Sequence, residues 1–87
     1  MREIKIRPLA TDEEYQTKLD HATRFLGNGD QLKITVMFRG REVGHPEKGE
    51  VILLEFAKDL EKYAKAELPP VFDGRQMWLL FTPKIVA

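Results

Sequence analysis

The chain has 87 residues, with 14 Lys+Arg against 14 Asp+Glu, two histidines and no cysteine. A chain of this length buries only about 60% of its unfolded surface and supports one core, so a single domain over 1–87 is expected; lack of cysteine excludes a disulfide scaffold, a thiolate zinc site and a catalytic thiol. No apolar run approaches the roughly 18 residues of a membrane span, and Met1-Arg2-Glu3-Ile4-Lys5 has no signal-peptide core, so a cytoplasmic protein without a membrane partner is expected.

Residues 3–7, Glu-Ile-Lys-Ile-Arg, alternate so that Ile4 and Ile6 share one face, which predicts a short half-buried strand stopped by Pro8. Thr11-Asp12-Glu13-Glu14 is a capping box, and its acids suit the positive end of a helix dipole. Tyr15, Leu19, Ala22 and Leu26 then recur at helical spacing, with Phe25 widening the stripe, until Gly27-Asn28-Gly29 ends the helix. Residues 32–39 alternate again: Leu32, Ile34, Val36 and Phe38 face one way, and Lys33, Thr35, Met37 and Arg39 the other. This predicts a strand with one packed and one largely wet side.

After the loop Gly40-Arg41-Glu42-Val43-Gly44, His45-Pro46 opens a second helix, with His45 as its cap. That helix is expected to reach about Lys65, burying Leu53, Phe56, Ala57, Leu60 and Ala64; Gly49 in its first turns is tolerable if a neighbour packs close. Pro69-Pro70 confines the strand at 67–72 to a sheet edge. Asp73-Gly74 forms a hairpin turn into Met77–Thr82, where Met77, Leu79 and Phe81 oppose Trp78 and Leu80. The predicted fold is an α+β, two-layer βαβαββ domain, with two helices packed on one face of a four-stranded mixed sheet. Strands flanking a helix should pair in parallel, and the last two should form an antiparallel hairpin.

Catalytic chemistry has little to stand on. His21 and His45 lie in no HExxH or HxH spacing, and the chain has no phosphate-binding glycine loop and no serine nucleophile. Thr11 is accounted for as a cap, and the paired carboxylates Glu13-Glu14 and Glu47 with Glu50 as helix-start residues. The expectation is a non-enzyme without metal or cofactor. Of the six arginines, Arg7, Arg39, Arg41 and Arg75 fall at strand ends and turns, where loops present binding residues on a rigid scaffold. A guanidinium fork suits phosphate, although exposed arginines are also ordinary solvated charges. If Trp78, Met37, Leu80 and Thr35 project from the uncovered sheet face, they could stack a base, lie under the C-terminal tail or form a protein contact.

Phe38-Arg39-Gly40-Arg41-Glu42 followed by His45 and Gly49 resembles the C-terminal domain of bacterial translation initiation factor 3. So do Ile4-Lys5-Ile6-Arg7-Pro8, Tyr15-Gln16-Thr17-Lys18-Leu19, Arg24-Phe25-Leu26 with Gly29-Asp30, and Gly74-Arg75-Gln76-Met77, in the same order and spacing over nearly the whole chain. The resemblance implies a domain that binds the small ribosomal subunit through 16S rRNA and prevents premature large-subunit joining; a single small domain of this kind is most simply a monomer. It would act indirectly on initiator tRNA and mRNA in start-codon selection. The basic positions implied for rRNA binding are Arg7, Lys18, Arg24, Arg39, Arg41, Arg75 and Lys84. Asp20 and Glu55 stand where the family carries arginine, Met37 where it carries another basic residue, and Ile85-Val86-Ala87 where more lysines would follow. The resemblance also implies that the family's N-terminal domain and linker are absent here. The alternative is a protein-interaction module on the same fold with reduced or lost rRNA affinity.

Overall fold

Alternation and capping shape the first half of the domain as the sequence predicts. In this computed structural model, which describes residues 2–8, 10–38, 46–67 and 69–84, β1 (Arg2–Ile6) turns Ile4 and Ile6 into the core. The helix α1 (Asp12–Gly27) starts where the Thr11 hydroxyl oxygen accepts the Glu14 amide at 3.1 Å, and it buries Ala22 and Leu26. It stops at Asn28, followed by Gly29 at φ 85°, a left-handed conformation that glycine adopts without a Cβ penalty. β2 (Leu32–Met37) then lies parallel to β1, pairing Ile4 with Ile34 and Ile6 with Val36.

The second half departs from expectation at one joint. Helix α2 (Pro46–Asp59) ends well short of Lys65, and Ala64 belongs to the strand β3 (Ala64–Ala66). Leu60 and Ala64 are both buried, so their spacing of four imitates another helical turn. The chain instead turns at 60–63, where the Lys84 amide donates to the Tyr63 carbonyl at 2.9 Å and ties the turn to the end of the final strand.

β4 (Val71–Asp73) and β5 (Gln76–Pro83) form the expected hairpin. Gly74, at φ 62°, takes the first central position of its two-residue turn, while Arg75 keeps a negative φ, the combination found in type II′ turns. β5 inserts between β2 and β3, giving the order β1-β2-β5-β3 with β4 also on β5. The expected direct pairing of the strands flanking α2 is therefore replaced: β2 and β3 each pair antiparallel with β5. The composition of β5 explains its place. Met77, Leu79 and Phe81 are buried on one side and Trp78 and Leu80 half-buried on the other, so this strand gains most from a central position. β3 and β4 lie along the same side of β5, so the strand predicted at 67–72 is replaced by two short ones on either side of Pro69-Pro70.

Both helices cover the face that carries Ile34, Val36, Leu79 and Phe81, with Leu53 and Phe56 from α2 and Leu60 from the turn after it fully buried. Gly49 is where α2 comes closest to the sheet. A Cβ there would lie 2.6 Å from Phe38 Cζ and 3.2 Å from Val36 Cγ1, so only glycine permits this approach. The opposite face carries no helix. Thr35 on that face is nevertheless only 1% exposed, a correction to the largely wet side expected of its strand. It lies between Lys5 on β1 and Trp78 on β5, and its hydroxyl donates to Glu3.

Candidate nucleic-acid interface

The sheet register gathers two of the sequence-predicted cations at one end. Arg7 follows Ile6, which pairs with Val36; Val36 pairs in turn with Met77, two residues after Arg75. The Phe38 amide donates to the Arg75 carbonyl at 2.8 Å, which fixes the hairpin tip to the end of β2. With strands about 4.8 Å apart, Arg7 and Arg75 leave the sheet roughly 10 Å from one another. Both are exposed, and among the described residues neither side chain has an acidic partner. Arg39 and Arg41, and the proposed His45 cap, lie outside the described residues.

The remaining predicted cations are not part of this cluster. Arg24 sits in the last turn of α1, beside the opposite end of the sheet, where Arg2 donates its amide to the Gln31 carbonyl. Lys18 is half-buried on α1 and lines a shallow depression with Thr11, Glu13, Glu14 and Thr17, whose acids oppose an anion there. Lys84 follows β5, and its Nζ donates to the Glu61 carbonyl at 2.6 Å. That bond occupies Lys84 in holding the turn just past the carbonyl end of α2, a favourable place for a cation. It also borders a groove with Lys58, Lys65 and Glu61 between α2 and β3.

The positions that the resemblance sets apart lie on the surface. Asp20 is exposed and accepts from Gln16 Nε2 at 3.2 Å, and Met37 is 40% exposed on the uncovered face. Glu55 is exposed on α2, close enough to Tyr15 for its charge to act on the phenol. The Tyr15 hydroxyl is held well above its ordinary range by burial, then by donation to Asp59 Oδ2 at 2.5 Å, and by the Asp59 and Glu55 charges. Its ring lies 4.6 Å from that of Phe56, so this pair joins the two helices. It is a structural contact rather than a proton-transfer site: both groups lie between helices, away from the arginine end.

One arrangement was not readable from the sequence. Lys33 Nζ stands 4.7 Å from the Trp78 ring centroid, although Lys33 lies directly opposite Glu3 in the β1–β2 register. Alternation puts both residues on the uncovered face, but only the β2–β5 register brings them together. Among the described residues, no group of three His, Asp or Glu side chains could hold a metal ion, and no helix is long and apolar enough to cross a membrane. What the arginine end offers is two exposed planar donor groups, set on a rigid sheet margin and suited to bidentate contacts with phosphate oxygens.

Residues 1–84 match the family described as translation initiation factor IF-3, C-terminal domain. The chain is 47% identical over 87 residues to the translation initiation factor IF-3 of Thermus thermophilus, covering 100% of this chain and 51% of that protein. It is 45% identical over 84 residues to the factor of Phocaeicola vulgatus and 44% identical to that of Porphyromonas gingivalis, covering 97% of this chain and 42% of each relative. The chain thus spans about half the length of the curated relatives it matches.

Proposed function

Since this chain belongs to the family of translation initiation factor IF-3 C-terminal domains, we propose that it binds the small ribosomal subunit through 16S rRNA. On this reading Arg7 and Arg75 dock on backbone phosphates, with Arg39 and Arg41 from the segment joining β2 to α2. The observation that carries the reading is the pair Arg7 and Arg75, placed at one sheet end with no acid among the described residues to neutralise either. Lys18 and Arg24 would extend the contact along α1, and Lys84 would add a weaker one, since its ammonium is already engaged.

Docking supplies position rather than chemistry. Each phosphate neutralised by an arginine releases condensed counterions, so affinity falls steeply with salt. A monomeric domain seated on rRNA would block large-subunit joining by occupying surface that the large subunit needs. It would act on initiator tRNA and mRNA selection only through that seat.

Co-sedimentation of the chain with isolated small subunits across a salt series, scored alongside large-subunit joining, tests this. The expected outcome is saturable binding that weakens with salt and blocks joining. Arg75→Ala should weaken binding roughly tenfold, as expected for one charge-assisted contact, with the thermal midpoint unchanged. Failure to bind even at low salt would transfer the fold to the protein-interaction reading.

A further inference from the structure

The uncovered face of the sheet has an aromatic centre that neither the helices nor the arginine end explains. Trp78 lies mid-sheet on this face, flanked in register by Thr35 on β2 and Val71 on β4. It is half-buried, while Val71 and Met37 beside it are 44% and 40% exposed. Two lysines accompany the ring. Lys33 stacks over it at 4.7 Å, and Lys5 stands in the same cross-strand row beyond Thr35. That places Lys5 about 10 Å from Trp78 by strand spacing.

The behaviour of Lys33 is the informative part. Directly opposite it is Glu3, yet the Glu3 carboxylate accepts the Thr35 hydroxyl at 3.2 Å, and Lys33 rests on the indole. An ammonium on a flexible four-carbon stem, resting on a half-buried ring with no carboxylate among the described residues to anchor it there, is weakly held. It is therefore easily displaced to the rim, which would leave a flat aromatic surface with a cation beside it. Protein-binding surfaces are depleted in lysine at their centres. A lone ring bracketed by lysines instead fits a ligand that is flat and apolar in one part and anionic in the next.

We propose that this face binds an unpaired base of a single-stranded nucleic acid, stacked on Trp78, with Lys33 and Lys5 on the adjoining phosphates. The site is separate from the arginine end and does not depend on the ribosomal reading. Stacking on an indole is tolerant of sequence because every base has a π-face. The two lysines give the salt dependence.

Trp78 is the only tryptophan of the chain, so its emission reports this face directly. Titration of the 87-residue protein with hexauridylate at low salt should quench that emission saturably. Lys33→Gln should weaken binding about threefold and reduce the log–log salt slope by about 0.7. Trp78→Leu, followed by the anisotropy of fluorescein-labelled hexauridylate, should weaken it at least tenfold. Trp78→Phe, which keeps a ring and protects against a folding artefact, should stay within threefold of the parent. Absence of quenching at millimolar oligonucleotide would overturn the proposal, as would full binding by a folded Trp78→Leu variant. A concentration-dependent emission shift without oligonucleotide, with a doubled mass in sedimentation equilibrium, would make the face a self-association surface and equally overturn it.

Discussion

The two ends of the sheet treat their cations differently. At the end where β1 and β2 finish and β5 begins, Arg7 and Arg75 are exposed with no acidic partner among the described residues. At the other end Arg2 pairs with Asp30 at 3.5 Å and lies over the Phe25 ring, while Lys84 holds the Glu61 carbonyl. Family likeness alone treats Arg75 and Lys84 as equivalent contacts. The structure separates them by what each already touches. A cation committed to its own fold must give up that bond before it can meet a phosphate, whereas an uncommitted one loses only water. Net charge, zero for this chain, says nothing about this difference.

The strongest way to break the comparison is to remove both free arginines. Arg7→Ala with Arg75→Ala should lower small-subunit affinity about a hundredfold and flatten the log–log salt slope by about two. The urea midpoint should stay within experimental error, because neither side chain bonds within the described residues. The matching change, Lys84→Ala, should shift affinity by less than threefold. Comparable losses from the two changes would show that the distinction between the ends is wrong.

Packing sets how sharply the arginine end is defined, and Gly49 is its test. Alanine there would raise helix propensity by about 1 kcal/mol, but its Cβ would press on Phe38 Cζ at 2.6 Å. Phe38 is 3% exposed, has the Phe72 ring 5.9 Å away, and bonds the Arg75 carbonyl through its amide, so it has little room to yield. Overpacking of this kind costs about 1–3 kcal/mol and should outweigh the propensity gain. Gly49→Ala is therefore expected to lower unfolding free energy by about 1 kcal/mol in urea melts. It should also disturb the hairpin, seen as shifted amide resonances for residues 74–76. A stabilised variant would mean that Phe38 moves aside freely.

Most of this frame could be read from the chain. Thr11 and Glu14 announced the start of α1, and the alternation of Leu32, Ile34 and Val36 announced β2, because both signals are local. Arg75 was recognisable as a hairpin-tip residue for the same reason. What could not be read was relational. Leu60 and Ala64 kept helical spacing through a turn whose direction is set by the distant Lys84 amide, so α2 looked longer than it is. The insertion of β5 between β2 and β3 joins segments far apart in sequence, and with it come the Lys33–Trp78 stack and the nearness of Arg7 to Arg75. The Lys84–Glu61 bond, which sets that lysine apart from the free arginines, was hidden for the same reason.

Away from the arginine end, Tyr15 and Asp59 offer a pH-dependent measure of how α1 and α2 are held together. Burial and the neighbouring carboxylates raise the folded-state pKa of the Tyr15 hydroxyl above its ordinary value near 10. The neutral hydroxyl is thus favoured by folding, and the contribution is complete below pH 10. Above it, the unfolded chain releases the proton more readily than the folded one, and stability falls as pH rises. Tyr15→Phe should cost about 1 kcal/mol at neutral pH, through loss of the bond to Asp59. The difference from the parent should narrow in urea melts above pH 10. No difference between the two proteins across that range would mean that the helices are joined by the Tyr15–Phe56 ring contact alone, with no part played by the hydroxyl.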